Sequence, residues 1–462
     1  MFNRASVLLV LATATLAACG GGGGDGGGSK EAEERLAVCG TEYQLNLVKS
    51  ELDANYLWYD EIPDLDTSAY AEGDQLAALN TFVTDSVNDA ITSRGKTFPY
   101  SYVTTIEAEN AALNNAGYIG FGFSSQLNGP FATADGYQMR EVFPGSPADA
   151  AGLVRGDTII AIDGVSIRTL LDTDAFSEDP GPYGPREVGY EVDLTIRHVG
   201  GVEEVITVAK DNVTIPTVSY TTTMDAAGLK VGYIYFRSFL TPSTEELNTA
   251  FQQLAADGVT RLILDLRYNG GGLVSVANHL GNLIAGGAHS GKLWSTTRFN
   301  DKRSSENYNT GIATAADGLP IEQLVAITTG GTASASELVI NSLRPYIDVA
   351  TVGSTSYGKP VGQEAADICT NRLRAVSFET VNSLGEGEYY AGIVPTCAAD
   401  DDLTEQLGSA TEGSIAEALY YIENASCSPT VTKPGVPTPA ATPDLSTSSY
   451  RDGWDLTLGG VR

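Results

Sequence analysis

The chain has 462 residues, of which 42% are hydrophobic and 18% charged, and its formal net charge is −31. This length predicts two to four domains, and the composition is that of an ordinary globular protein. The acidic balance argues against nucleic-acid binding, because phosphate contacts require clustered Lys and Arg, which the sequence lacks. We interpret the acidity as favouring solubility.

The N-terminal residues carry targeting signals. A short basic start and an apolar stretch lead to Leu16-Ala17-Ala18-Cys19, which resembles a bacterial lipobox. The resemblance implies a lipoprotein signal peptide over residues 1–19 and lipidation of Cys19; a plain secretory signal and a short membrane anchor are the alternatives. Residues 20–38 follow as a Gly-rich tether. We therefore expect an exported, membrane-anchored lipoprotein, at the outer membrane and facing the periplasm.

Three regions with different patterns of apolar and turn residues follow the tether. Residues 39–104 have apolar residues at three- and four-residue intervals, which predicts a small N-terminal helical domain. Residues 105–213 contain short β-like runs between Gly, Pro and Asp, which predicts a β-rich domain. Strands and helices alternate in residues 214–427, which predicts an α/β domain. Residues 428–462 are rich in Pro and Thr, and we expect them to be disordered.

Four cysteines follow Cys19, and an even number in an exported chain favours disulfides over metal or thiol chemistry. Of the three possible pairings we predict Cys369 with Cys397 inside one domain, and Cys39 with Cys427 joining the ends of the folded body. The three histidines are far apart in the sequence, so we expect no metal site and no cofactor.

The β-rich region carries the first recognisable pattern. "YIGFGF", residues 118–123, and the Gly-rich segment of residues 142–167 resemble a PDZ domain of the type found in exported proteases. In such a domain a Gly-rich loop presents backbone amides to a peptide's C-terminal carboxylate, and a strand edge adds the peptide as a further strand. Ordinary turn glycines would explain the first motif but not both. The expected peptide-binding residues are Ile119, Gly120, Phe121 and Gly122.

The segment "TTGGTASASELVINSL", residues 328–343, predicts a strand end, a glycine turn and a helix. Its small hydroxyl residues lie at the helix N-terminus, where free amides and the positive dipole end favour a developing anion. The ordinary alternative is that these residues cap the helix.

A second segment, "VGSTSYGKPVGQ", decides between these two interpretations. Together with Ser334 it resembles the signature of the carboxyl-terminal processing (tail-specific) proteases, in which a lysine 25 residues after a serine removes the serine's proton. The resemblance implies Ser334 as nucleophile, Lys359 as base and Gln363 as the amide that orients the base; Ser336 is the second candidate nucleophile. Lys359 must be neutral to accept a proton, which requires burial.

A third motif, "LILDLRYNGGG", looks like the glycine turn of the same family, with Gly270 where proline is usual. The glycines let backbone N–H groups approach a substrate oxygen, and we assign the oxyanion hole to the amides of Gly271 and Ala335, although which glycine contributes stays open. The fold implied is a Clp-protease/crotonase-like α/β core with a PDZ domain. Three further residues of the motif are expected to brace the turn: Asp265, Arg267 and Asn269.

These resemblances imply a serine endopeptidase that cleaves exported proteins near unstructured C-terminal tails. Its partners would be proteins or peptides with free C-termini, and the membrane through the lipid anchor only. Two alternatives remain, a non-catalytic PDZ peptide-binding lipoprotein and a Ser-His hydrolase that uses His279 or His289. A metalloprotease is disfavoured because the sequence has no His-Glu-x-x-His.

Overall fold

A computed structural model of the chain describes residues 39–97, 99–114, 117–178 and 180–429. The predicted signal peptide, the lipidation of Cys19, the tether and nearly all of the predicted tail lie outside these residues. Within the described ranges, no helix combines the length and the apolar character needed to cross a membrane.

The secondary structure changes character along the chain as the sequence predicts. The α-helices are α1 Thr41–Asn55, α2 Gln75–Thr92, α3 Ile106–Asn114, α4 Pro147–Ala150, α5 Ile167–Asp172, α6 Ser243–Ala255, α7 Val274–His289, α8 Ala335–Leu343 and α9 Gly413–Asn424. The short 3₁₀ helices are Tyr59–Glu61, Thr67–Tyr70, Ala175–Ser177 and Asp301–Glu306. The strands are β1 Tyr102–Thr105, β2 Gly117–Gly120, β3 Phe123–Leu127, β4 Tyr137–Val142, β5 Thr158–Ile162, β6 Val165–Ser166, β7 Glu191–Arg197, β8 Glu203–Ala209, β9 Asp211–Thr214, β10 Val218–Ala226, β11 Leu229–Phe236, β12 Arg261–Asp265, β13 Leu293–Phe299, β14 Tyr308–Gly311, β15 Gln323–Thr328, β16 Asp348–Gly353, β17 Val361–Ile368, β18 Asn371–Val381 and β19 Cys397–Ala398.

A mostly parallel sheet forms the centre of the α/β region. Its strand order is β10-β11-β12-β15-β16-β19, and only β10 runs antiparallel to its neighbour. Along β12, Leu262 and Leu264 join a core with α6, α7 and α8, whereas Ile263 joins a core with α9 on the other face. Parallel sheets are covered in this way on both faces. The predicted α/β core is therefore confirmed.

The region predicted to be β-rich contains a separate antiparallel sheet. The order is β3-β4-β5-β7-β8, with the short β6 beside β5. Its core includes Phe123, Met139, Ile159 and Leu194, all 2% exposed or less. Strands β2 and β9 pair with each other and bring the two ends of this region together.

A third sheet, β1-β18-β13-β14 with β17 beside β18, receives the N-terminal helices. Leu45 of α1 and Phe82 of α2 share one hydrophobic cluster with Leu373 and Val376 of β18. The predicted helices are present, but they bury their apolar faces on strands from the far end of the chain. Two helices bury too little surface to form a stable core alone, which explains why they need these strands.

The disulfides differ from the predicted pairing. The structure pairs Cys39 with Cys369 and Cys397 with Cys427, so the prediction was wrong. The packing gives the reason: Cys369 lies in the turn between β17 and β18, against which α1 packs, and Cys39 lies just before α1. Cys427 follows α9, which packs on the central sheet that contains Cys397.

The two disulfides are predicted to differ in their effect on stability. They close loops with sequence separations of 330 and 30 residues, and the chain-entropy model makes the longer loop more stabilising by about 2 kcal/mol. Replacing Cys39 and Cys369 with serine should therefore lower the thermal unfolding midpoint more than replacing Cys397 and Cys427. Differential scanning calorimetry measures this, and equal midpoints would contradict it; a peptide map without reductant checks the pairing itself.

Candidate active site

Ser334 and Lys359 line the same cleft, although they come from different loops. Ser334 immediately precedes α8, and Lys359 precedes β17. The rest of the lining is largely apolar and supplied by α7, α8, β17, β18 and the loop after β18. These lining residues are Val274, Ala335, Leu338, Val361, Gly362, Phe378, Thr380 and Tyr389.

The backbone of Ser334 is strained. Its φ of 56° and ψ of −114° lie in a region that residues other than glycine rarely occupy, at a cost of roughly 1–3 kcal/mol. The neighbouring hydroxyls are bound within the protein: Thr332 donates to the Leu266 carbonyl at 2.7 Å, and the fully buried Ser336 donates to the Asn269 carbonyl at 2.9 Å. Ser334 is therefore a better nucleophile candidate than Ser336.

The carboxylate of Glu337 joins the two loops that carry Ser334 and Lys359. One oxygen accepts hydrogen bonds from the amides of Ser334, at 2.9 Å, and of Lys359, at 2.8 Å. The other accepts from the Gly358 amide at 2.7 Å and from the Ser356 hydroxyl at 2.5 Å. Glu337 is fully buried, and burial raises its pKa against the opposing effect of these donors. An acid three residues after a helix cap is a capping-box pattern, and Ser334 and Glu337 have this spacing. The spacing was therefore a sequence signal for the contact between the Glu337 carboxylate and the Ser334 amide.

The amine of Lys359 is buried and bound to Gln363. The residue is 4% exposed, and burial lowers its pKa to about 8, because a charged amine is disfavoured away from water. Its Nζ donates to Gln363 Oε1 at 2.9 Å, so the structure brings together the lysine and the amide that the sequence predicts. The Gln363 amide in turn donates to the Tyr100 carbonyl at 2.5 Å.

The glycine turn after β12 lies directly against Ser334. A Cβ atom at Gly271, whose φ is +100°, would lie 2.8 Å from Ser334 Cβ and 3.0 Å from the Ala335 nitrogen, so only glycine fits. The two predicted oxyanion donors are thus adjacent. The Gly271 amide, however, donates to Asn269 Oδ1 at 2.9 Å, so in this structure it is already engaged within the turn.

A buried charge network braces this turn. Asp265 accepts hydrogen bonds from Arg267, which also donates to Glu412 and Asp401 at 2.7 to 2.9 Å. Asp401 also forms an ion pair at 2.5 Å with Arg155 from the β-rich domain. Burial would raise the pKa of Asp401, but the two arginines lower it to about 2. The predicted bracing is present and extends to the β-rich domain, a link that no sequence motif indicated.

The histidines lie away from the cleft lining. His279 contacts Asn248 at 2.8 Å through Nε2, and burial lowers its pKa. His289 stacks against Tyr346 with ring centroids 5.2 Å apart. The structure therefore does not bring either candidate histidine to Ser334.

The predicted peptide-binding loop belongs to the β-rich domain, and none of its residues lines the Ser334 cleft. Ile119 and Gly120 end strand β2, and Phe121, which is 5% exposed, packs into the core of that domain. Gly122, with a φ of +92°, donates its amide to the Tyr118 hydroxyl at 3.2 Å. A peptide carboxylate that binds this amide would take the place of the hydroxyl.

One cluster of potential metal ligands occurs in the described part of the chain, formed by Cys397, Cys427 and Glu417. The two sulfur atoms are bonded to each other, so they are not available as thiolate ligands.

Comparison with known proteins supports the resemblance seen in the sequence. Residues 230–396 match the model of peptidase family S41, and residues 139–178 match a PDZ domain model. A carboxyl-terminal-processing protease of Synechocystis is 30% identical over 269 residues, 57% of each chain, and a chloroplastic C-terminal processing peptidase of Tetradesmus obliquus is 27% identical over 236 residues, 49% of this chain and 48% of the relative. The chain thus spans about half the length of the curated relatives it matches.

The fold has a solved counterpart. A Bacteroides fragilis protein classed with the S41 proteases superposes with a TM-score of 0.66 at 23% identity, covering 82% of this chain and 97% of that one. At this identity the likeness concerns the fold, and it agrees with an α/β core combined with a PDZ domain.

The ion pair between Arg155 and Asp401 is predicted to hold the PDZ domain on the core. Arg155→Ala should lower the free energy of unfolding by about 3 kcal/mol, because it removes a buried partner of a charged group. Arg197→Ala is the matched control: this arginine lies in the same domain but pairs with the exposed Glu203 and Asp135, so its loss should cost under about 1 kcal/mol. Urea unfolding measures both, and equal effects would contradict the prediction.

Proposed function

We propose that the chain is a serine endopeptidase of the kind found in peptidase family S41, whose model matches residues 230–396, and that it cleaves exported proteins near unstructured C-terminal tails held by its PDZ domain. The observation that carries the proposal is the cleft that Ser334 and Lys359 share. A strained serine and a buried lysine whose pKa falls to about 8 are the two groups that a Ser-Lys dyad requires.

The reaction would proceed by acyl transfer. Neutral Lys359 takes the hydroxyl proton of Ser334 as Oγ attacks the peptide carbonyl, and it then gives that proton to the leaving amine when the C–N bond breaks. Water attacks the resulting ester with Lys359 again accepting the proton, and the acid product leaves as Ser334 regains its own. Gln363 holds the amine without adding a charge that would raise its pKa.

The negative oxygen of the tetrahedral intermediate would lie between the glycine turn and the start of α8. The Ala335 amide is well placed, because it is the first of a helix whose N-terminus favours negative charge. The Gly271 amide would join after exchanging its bond to Asn269 for one to the oxyanion. Each such donor contributes on the order of 3 kcal/mol to catalysis.

The lining of the cleft also indicates a side-chain preference next to the cleaved bond. Val274, Leu338, Val361 and Phe378 face it, and apolar walls of this kind favour an apolar side chain next to the cleaved bond.

Export and lipid anchoring are part of the proposal. Two disulfides in the described residues are typical of proteins that work in an oxidising compartment, which supports an exported enzyme. The lipobox-like sequence ending at Cys19 supports a lipid anchor, and with Gly20 rather than Asp after it we favour the outer membrane.

The first test compares Ser334→Ala, Lys359→Ala and His279→Ala on an unstructured protein with an apolar C-terminus, with cleavage followed by mass spectrometry. The first two variants should lose at least about a thousandfold in kcat/KM, because each removes a group that reacts. His279→Ala should stay within about threefold, since it removes only a contact to Asn248. Full activity of folded Lys359→Ala would contradict the dyad, and an inactive wild type would favour a binding protein.

The pH dependence gives the same test a second readout. The base must be neutral, so kcat/KM should be low below pH 7 and rise with pH through an apparent pKa of about 8. A profile governed instead by a group near 6.5 would favour a histidine.

The PDZ domain is tested by changing only the end of the substrate. An unstructured protein with a free C-terminal carboxylate and the same protein with a C-terminal amide differ by one charge. Loss of charge-assisted bonds to loop amides costs roughly 1.5–3 kcal/mol, so amidation should raise KM about 10- to 100-fold. A short peptide that reaches only the cleft should show no difference. Equal KM values for both proteins would contradict tail recognition.

A further inference from the structure

The loop that carries Lys359 is held from outside by the segment between α2 and β1. Tyr100 in this segment is 1% exposed and makes three contacts there. Its hydroxyl donates to the Gly358 carbonyl at 2.8 Å, and its own carbonyl accepts from Gln363 Nε2. Its ring centre lies 5.4 Å from Lys359 Nζ. One residue thus contacts the base, the amide that orients it and the peptide unit before it.

A second side chain of the same segment supports the loop one residue earlier. Lys96 Nζ donates to the Tyr357 carbonyl and lies 4.8 Å from the Tyr357 ring centre. Two successive carbonyls of the loop, those of Tyr357 and Gly358, are therefore each bound by a side chain from the N-terminal region.

The segment itself is firmly anchored to the body of the protein. After Tyr100, the Ser101 hydroxyl accepts the Val376 amide of β18 at 3.0 Å, and strand β1 pairs with β18. At the start of the segment, Arg94 stacks over Trp58 and pairs with Glu61 at 2.9 Å. The disulfide of Cys39 with Cys369 fixes the far end of the region to the turn that ends β17.

We infer that Tyr100 is a positioning residue for the base, and that the N-terminal region is a required part of the active site instead of an accessory domain. The inference rests on the proposed Ser-Lys mechanism. Tyr100 closes the pocket of Lys359 against water and fixes the amide partner, so the amine is held in place and away from water only while this region is docked.

Several charged or titratable groups face the lysine and set the expected pH effect. Glu337 from α8 favours the charged amine, and Arg374 from β18 opposes it, but removal from water is the largest influence on the pKa of Lys359. The segment between α2 and β1 adds Lys96, and the loop itself adds Tyr357, each with its own shifted pKa. A smaller side chain at Tyr100 admits water while leaving the other groups in place, so the lysine should become easier to protonate.

The test compares Tyr100→Leu and Tyr100→Phe with Tyr56→Leu as the matched control. Tyr56 is a buried tyrosine of the same hydrophobic cluster and contacts Trp58. Tyr100→Leu should move the acid limb of kcat/KM up by about one pH unit. The fraction of Lys359 that is neutral at pH 7 would then fall roughly tenfold. The upper limit is a fall of roughly 200-fold, which a lysine with an ordinary pKa would show. Its activity should recover at high pH. Tyr56→Leu should lower stability comparably and leave the limb in place.

Tyr100→Phe retains the ring and removes only the bond to Gly358. It should keep the acid limb of the wild type and lose about three- to tenfold in kcat with KM unchanged. This variant also carries the test if Tyr100→Leu does not fold, and wild-type kcat in Tyr100→Phe would then overturn the inference.

A second measurement does not depend on activity. Acetic anhydride labels neutral amines, so the labelling of Lys359 against pH, followed by mass spectrometry with the exposed Lys230 as internal reference, reports its protonation directly. An upward shift in Tyr100→Leu is expected. Two results would overturn the positioning role. One is a folded Tyr100→Leu in which neither the acid limb of kcat/KM nor the pH dependence of Lys359 labelling shifts. The other is a shift of equal size in Tyr56→Leu. An active Lys359→Ala would instead refute the dyad, while the labelling would still report on Tyr100.

Discussion

The carboxylate of Glu337 is the contact on which the geometry of the site depends. It is fully buried, and a buried charge is tolerated only when its hydrogen-bonding capacity is filled. The amides of Ser334, Gly358 and Lys359 and one hydroxyl fill it. Since three of these four donors are backbone groups, the carboxylate fixes the main chain of Ser334, the proposed nucleophile, and of Lys359, the proposed base.

This contact also explains how the strain at Ser334 persists. A positive φ in a serine costs free energy that the surroundings must offset. The Ser334 amide is held by Glu337 on one side, and Gly271 packs against its Cβ on the other. A relaxed serine backbone would turn this amide away and leave an oxygen of a buried carboxylate without its donor. Strain and buried charge therefore stabilise each other.

The sequence predicted those features that reside in short segments. Ser334, Lys359 and Gln363 belong to two motifs of a dozen or so residues, and the alternation of apolar runs predicted the central sheet. The disulfide pairing was wrong because it depends on where α1 packs, and apolar periodicity indicates that a helix buries a face without specifying its partner. The same limit hid the shared core of the N-terminal helices and β18, and the position of Tyr100, 259 residues before Lys359.

The proposed dyad and the proposed oxyanion donors are held by different parts of the protein. The proposed nucleophile and base are held by Glu337, Gln363 and Tyr100, none of which belongs to the PDZ domain. The glycine turn, in contrast, is braced by Arg267 and Asp401, and Asp401 also pairs with Arg155 of the PDZ domain. A shift of the PDZ domain would thus act on the charge network below the turn. In the proposed enzyme, tail binding would therefore affect the oxyanion donors, and hence kcat, while leaving the pKa of the base unchanged.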